Sequence, residues 1–127
     1  MKMVYVPFWI RSLETGTLLA SGGQIDTGAW TNLFHADLAD LLGIYALESG
    51  EPKEFQGIGA GTTMAYGHPV EIIIGDDSKR TYNFNTSVYF SDKVVKATRL
   101  LGLTGFLDHF ILKLDFSSGT FSLQPFK

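Results

Sequence analysis

The 127-residue chain contains no cysteine, which excludes disulfides and thiolate metal sites. Charge is scarce as well: charged residues make up 18% of the chain, and ten Lys and Arg against thirteen Asp and Glu give a formal net charge of −3. No basic run breaks this balance, so the electrostatic footprint of a nucleic-acid-binding protein is missing. No apolar run approaches the roughly 18 residues needed to span a bilayer. Met1-Lys2-Met3-Val4-Tyr5-Val6-Pro7 lacks the long apolar centre and small-residue cleavage site of a secretory leader. These absences lead us to expect a soluble cytoplasmic protein with neither membrane nor nucleic acid as partner. What the chain does have is apolar material, 45% of its residues, enough to fill one core. One domain over residues 1–127 is expected.

The periodicity is mainly that of strands. Val4 to Arg11 alternates and is rich in aromatic and β-branched residues; Glu14-Thr15-Gly16-Thr17 supplies a turn, and Leu18 to Ile25 resumes an extended pattern. A short strand is expected over Trp30 to Phe34. Ala36 to Leu42 then reads as about two helical turns stopped by Gly43. Glu48 to Lys53 reads as a loop. Glu54 to Ile74 reads as a long hairpin with Gly57-Ile58-Gly59-Ala60-Gly61 at its tip. Arg80 to Phe90, Ile111 to Phe116 and Thr120 to Leu123 are further strands, and Gly105 to Phe110 is a second short helix. Asp92 to Arg99 fits either a helical turn or an irregular loop. The sum is an all-β domain with one or two short helices.

Asp26-Thr27-Gly28 closes the second strand. By itself the tripeptide is a common turn, expected by chance in roughly one chain in fifteen to twenty of this length. Its surroundings are less common. About thirty residues later comes the glycine-rich tip at 57–61, and after that Leu100-Leu101-Gly102, leading into a short helix and Phe110-Ile111-Leu112-Lys113-Leu114-Asp115-Phe116. In this order and spacing the three motifs resemble the retropepsin-like (retroviral-type) aspartic peptidases, over nearly the whole chain from Pro7 to Leu123.

The resemblance implies an all-β, closed, barrel-like retropepsin (acid protease) fold with one or two short helices and a flap hairpin. It also implies an aspartic endopeptidase that needs no cofactor or metal, preferring acidic to near-neutral pH and cutting between apolar residues. Asp26 becomes the catalytic acid, Thr27 a hydroxyl bracing two loops across a dimer axis, and Gly28 a close backbone contact to substrate. Ala29, Trp30 and the flap tip Gly57, Ile58, Gly59, Ala60 and Gly61 become substrate contacts. Phe55, Met64 and Tyr66 are further candidates for pocket walls. Chemistry adds a constraint. Two carboxyl groups about 3 Å apart share one proton, so one can activate water while the other polarises the carbonyl. This chain has a single Asp-Thr/Ser-Gly, so the second carboxylate must come from a second copy in a C2 homodimer.

Two positions depart from the family pattern. Many retroviral enzymes pair an aspartate two residues after Asp-Thr-Gly with an arginine after the later glycine; here these positions are Trp30 and Leu103. Both charges are absent together, so no lone buried charge is left. Terminal segments Met3 to Phe8 and Thr120 to Phe126 are expected to interleave between copies, with Pro7 and Pro125 limiting the ladder. The glycine-rich stretch lacks the last glycine of a dinucleotide fingerprint, with Thr62 in its place. His35, His68 and His109 are too scattered for a zinc site. Two other readings stay open: a catalytically silent module that binds peptides in the same groove, and a β-barrel in which Asp-Thr-Gly is only a turn.

Overall fold

The computed structural model describes residues 4–56, 61–75, 79–115, 117–118 and 120–125. Nine strands dominate: β1 (Val4–Ser12), β2 (Leu18–Ile25), β3 (Leu33–His35), β4 (Glu51–Gln56), β5 (Thr62–Gly75), β6 (Thr81–Ser91), β7 (Arg99–Leu101), β8 (Phe110–Asp115) and β9 (Thr120–Pro125). Among the described residues, one α-helix, α1 (Asp37–Leu41), and two 3-10 turns, Leu47–Ser49 and Leu107–His109, interrupt the strands. Six strands close into a barrel in the order β1-β2-β7-β3-β6-β5, because β5 also pairs with β1. The all-β class is the one expected from the strand periodicity, and the closed barrel is the form expected from the resemblance.

Binary patterning explains the closure. β1 turns Val6, Phe8, Ile10 and Ser12 inward and Tyr5, Pro7 and Trp9 outward. β5 buries opposite faces in its two halves. Thr63 and Ala65 face one side near β4, whereas His68, Val70 and Ile72 face the barrel core. The same edge of β5 is therefore handed from β4, over Thr62–Gly67, to β1, over Val70–Ile73. β6 is covered on both faces between Val88 and Ser91, so it reads there as a continuous buried run.

The main core combines Phe8, Ile10, Phe34, Phe90, Leu101 and Phe106 with neighbouring aliphatic side chains. Fully burying each such side chain is worth about 1.5–3 kcal/mol. A smaller cluster of Leu33, Ala65, Tyr89 and Val94, with Phe55 packed on it, lies where β4 and β5 leave the barrel. β8 and β9 form a separate two-stranded ribbon whose Phe110 packs edge-on against Tyr82 and Phe84.

Four expectations are corrected. The strand expected over Trp30 to Phe34 is displaced to Leu33–His35, because backbone groups of residues 29–31 are taken up by residues 103 and 104 instead. The loop expected over Glu48 to Lys53 is a 3-10 turn followed directly by β4. Pro52 fits there because β4 is an edge strand and needs no ladder donor at that position. The helix expected over Gly105 to Phe110 is one 3-10 turn. α1 is shorter than two turns and leaves Leu41 exposed; Gly43 ends it at φ +80°. Asp92 to Arg99 is irregular until β7 begins at Arg99. Among the described residues, no helix is long and apolar enough to cross a membrane.

Candidate active site

Asp26 sits where β2 leaves the barrel. β2 and β7 run parallel, with Ile25 opposite Leu101, and the Asp26 N–H donates to the Leu101 carbonyl at 3.0 Å. The chain then turns on itself. The Ala29 N–H donates to the Asp26 carbonyl at 3.0 Å, and the Gly28 N–H donates to Asp26 Oδ1 at 2.8 Å. Such an Asx turn fixes the carboxylate by a hydrogen bond from its own loop. Thr27 is exposed, and its hydroxyl has no hydrogen bond among the described residues.

Leu100-Leu101-Gly102 lies directly behind this loop. Beyond the paired strands, the Leu103 N–H donates to the Ala29 carbonyl at 3.0 Å and the Thr104 N–H to the Trp30 carbonyl at 2.8 Å. Gly102 packs so closely that a Cβ there would lie 2.5 Å from the Thr31 carbonyl oxygen and 2.7 Å from the Thr31 Cα. No side chain fits at this crossing.

Asn32 is one of the residues that the sequence did not single out. It is fully buried at 0% exposure. Its Nδ2 donates to the Ser87 and Gly105 carbonyls, both at 3.1 Å, and its Oδ1 accepts from the Gly102 N–H at 3.1 Å. Its own carbonyl accepts from the Tyr89 N–H at 3.0 Å. One amide thus ties together the Asp26 loop, the Leu-Leu-Gly segment and β6. Asparagine more often marks turns, so only the apolar residues that follow, Leu33 and Phe34, could have hinted at burial.

An open cleft of about 380 Å³ faces Asp26. Its floor is formed by Asp26, Gly28, Ala29, Trp30, Thr31, Leu33 and Leu100. Lys53, Glu54, Phe55 and Gln56 of β4 form the opposite wall. The structure therefore brings Asp26, Gly28, Ala29 and Trp30 together across from the arm of the glycine-tipped hairpin. Thr27 lies outside the lining. Gly61 is exposed at the base of the tip with φ +107°, a left-handed conformation that suits glycine. Gly57, Ile58, Gly59 and Ala60 lie outside the described residues. Phe55 borders the cleft, whereas Met64 and Tyr66 do not.

The β4 arm is held by Tyr89. Glu51, Lys53 and Phe55 alternate onto one face of β4 and all reach this side chain. Glu51 Oε1 accepts the Tyr89 hydroxyl at 2.6 Å, the Lys53 ammonium lies 5.5 Å from the ring centre, and Phe55 meets the ring edge-on at 5.9 Å. On the other side Gly67 presses against the ring, leaving a Cβ only 2.7 Å from Tyr89 Cε2. Burial, together with the Glu51 carboxylate, pushes the Tyr89 hydroxyl up to about 12.

Trp30 and Leu103, where the family pattern would place a charged pair, are 65% and 40% exposed. Their backbones are adjacent through the 29–103 and 30–104 hydrogen bonds, so two apolar side chains flank the Asp26 loop. The histidines have local partners. His35 Nδ1 accepts the Asp37 N–H at 3.0 Å, His68 is buried between Glu14 Oε1 and the Leu47 carbonyl at 2.7 Å each, and His109 stacks on Phe84. No cluster of three or more His, Cys, Asp or Glu occurs among the described residues.

A single carboxylate at the mouth of a cleft can be either a base or an acid, but not both at once. The geometry supplies a fixed carboxylate, an apolar floor and an opposing edge strand along which an extended peptide could lie. The chain matches no model of a known protein family, and no curated protein matches it either.

Proposed function

We propose that the chain is one half of a retropepsin-like aspartic endopeptidase, whose active site forms when two copies bring their Asp26 carboxylates together on a twofold axis. The observation that supports it best is the joint placement of three sequence motifs. Asp26-Thr27-Gly28 is backed by Leu100-Leu101-Gly102 and faces the arm of the hairpin whose tip is rich in glycine. A turn that merely connected strands would need neither the cleft nor the opposing arm.

In the proposed reaction the two Asp26 side chains hold one proton between them. The ionised member takes a proton from water as that water attacks the scissile carbonyl carbon, while the protonated member donates to the carbonyl oxygen. Collapse of the tetrahedral intermediate breaks the C–N bond, with a proton passing to the leaving amine. The pair titrates as a unit. The Gly28 N–H on Oδ1 holds each carboxylate in its loop, and the exposed Thr27 hydroxyl is available to a neighbouring copy. Trp30 and Leu103 offer apolar contact in place of the missing charged pair. The outer edges of the β8–β9 ribbon, and the edge of β1 over Val4–Phe8, have no strand partner among the described residues, which suits a sheet shared between copies.

Peptide cleavage by the wild-type chain and by Asp26→Asn tests this directly. Loss of at least about a thousandfold in kcat/KM with an unchanged melting temperature is expected for removal of the essential acid-base group. Equal cleavage by the two proteins would end the proposal. A silent peptide-binding module would bind the same peptides in both forms and cleave none.

A further inference from the structure

Among the described residues, Lys53 is the one cation bordering the cleft. It is half-buried on the inner row of β4 between Glu51 and Phe55, its ammonium set over the Tyr89 ring. No described carboxylate is within ion-pair distance of it. Glu51 is engaged by the Tyr89 hydroxyl, and the ion pairs among the described residues involve Arg11 and the three histidines. Glu54 occupies the alternate, exposed position on the strand. The ring face attracts the ammonium but leaves its full charge in place, in a groove partly shielded from water. Ala29, Trp30, Leu33, Phe55 and Leu100 make up the apolar part of the described lining, and its other charged groups, Asp26 and Glu54, are carboxylates, so Lys53 is the one described group there that attracts an acid.

We propose that Lys53 is a specificity-determining residue, selecting peptides that place an acidic side chain beneath the β4 arm close to the bond over Asp26. This rests on the cleft being a peptidase site. An extended peptide sends alternate side chains to one face, so a carboxylate that meets Lys53 leaves its immediate neighbours pointing away from it. The partly shielded pair favours the acid over its amide and weakens with salt.

The test uses peptides identical except for Glu or Gln at each position flanking the cleaved bond. Cleavage is followed with the wild-type chain, and binding is followed by calorimetry with Asp26→Asn. At one position Glu should be preferred over Gln by about tenfold, the scale of one partly shielded ion pair. Lys53→Arg should retain the preference, Lys53→Met abolish it and Lys53→Glu invert it in favour of Lys peptides. A merely structural lysine would change all peptides alike. Equal handling of Glu and Gln by the wild type overturns the inference, as does a preference that survives in Lys53→Met. If nothing is cleaved, the peptidase reading fails, and binding to Asp26→Asn decides the role of Lys53. An acid preference that Lys53→Met removes upholds it; equal binding of acid and amide, or no binding, overturns it.

Discussion

The two walls of the cleft are built by different means. The Asp26 loop is held mainly by backbone: a parallel strand pair, hydrogen bonds to the Leu101 carbonyl and from the Leu103 and Thr104 N–H groups, and a glycine with no room for a side chain, with one buried side-chain amide behind them. The β4 arm is an edge strand, joined to β5 on one side and kept against the barrel mainly by side chains gathered on Tyr89. Backbone ladders with tight crossings resist displacement, whereas an edge strand laddered on one side and otherwise held by side-chain contacts opens at lower cost. A catalytic group needs the first kind of support. A wall that must admit and release a chain-like ligand needs the second.

Substitutions on each wall sharpen that contrast. Gly102→Ala should have the largest effect, since the new methyl group meets the Thr31 backbone rather than a flexible side chain; a loss of about 3 kcal/mol is expected in urea denaturation. A change below half a kcal/mol would show that the crossing is looser than described. Asn32→Ala should cost about 2 kcal/mol, because the Gly102 N–H and the Ser87 carbonyl lose their partner inside the protein. Amide exchange of Gly102 should accelerate with it. Tyr89→Phe should cost only about 1 kcal/mol, while raising KM more than it lowers kcat, since it frees the arm and leaves the Asp26 loop in place. An equal fall in kcat would mean that the arm and the loop are one rigid unit.

The Tyr89 contact also has a pH signature. The hydroxyl is raised from 10.0 to about 12 in the folded chain, so folding favours its neutral form. The stability this supplies is complete below pH 10 and lost as pH rises towards 12. The stability difference between wild type and Tyr89→Phe should shrink across that window and stay flat below it.

Much of the fold was legible, since turn residues bound the strands and β1 alternates cleanly: β1, β2 and β6 fall within a residue or two of their expected bounds. Glycine and proline misled where tertiary pairing overrode them, as at Pro52 in β4. The shift of the third strand from Trp30 to Leu33 has the same origin, since the Ala29 and Trp30 carbonyls accept from the Leu103 and Thr104 N–H groups, just beyond the Leu-Leu-Gly segment, rather than from a regular ladder. Asp26 and the wall behind it could be anticipated from motif order. Asn32, Tyr89 and Lys53 could not, because their roles depend on hydrogen bonds between residues 38 to 73 positions apart or on a row of β4 that reads as polar loop.

The central claim is that Asp26 acts only as one of two. Mixing wild-type chains with a ninefold excess of Asp26→Asn chains, after dissociation and reassociation, tests it. An active site on the dimer axis predicts that activity per wild-type chain falls to about one tenth, because nine partners in ten lack the carboxylate. Activity per wild-type chain that stays constant in the mixture would contradict the account.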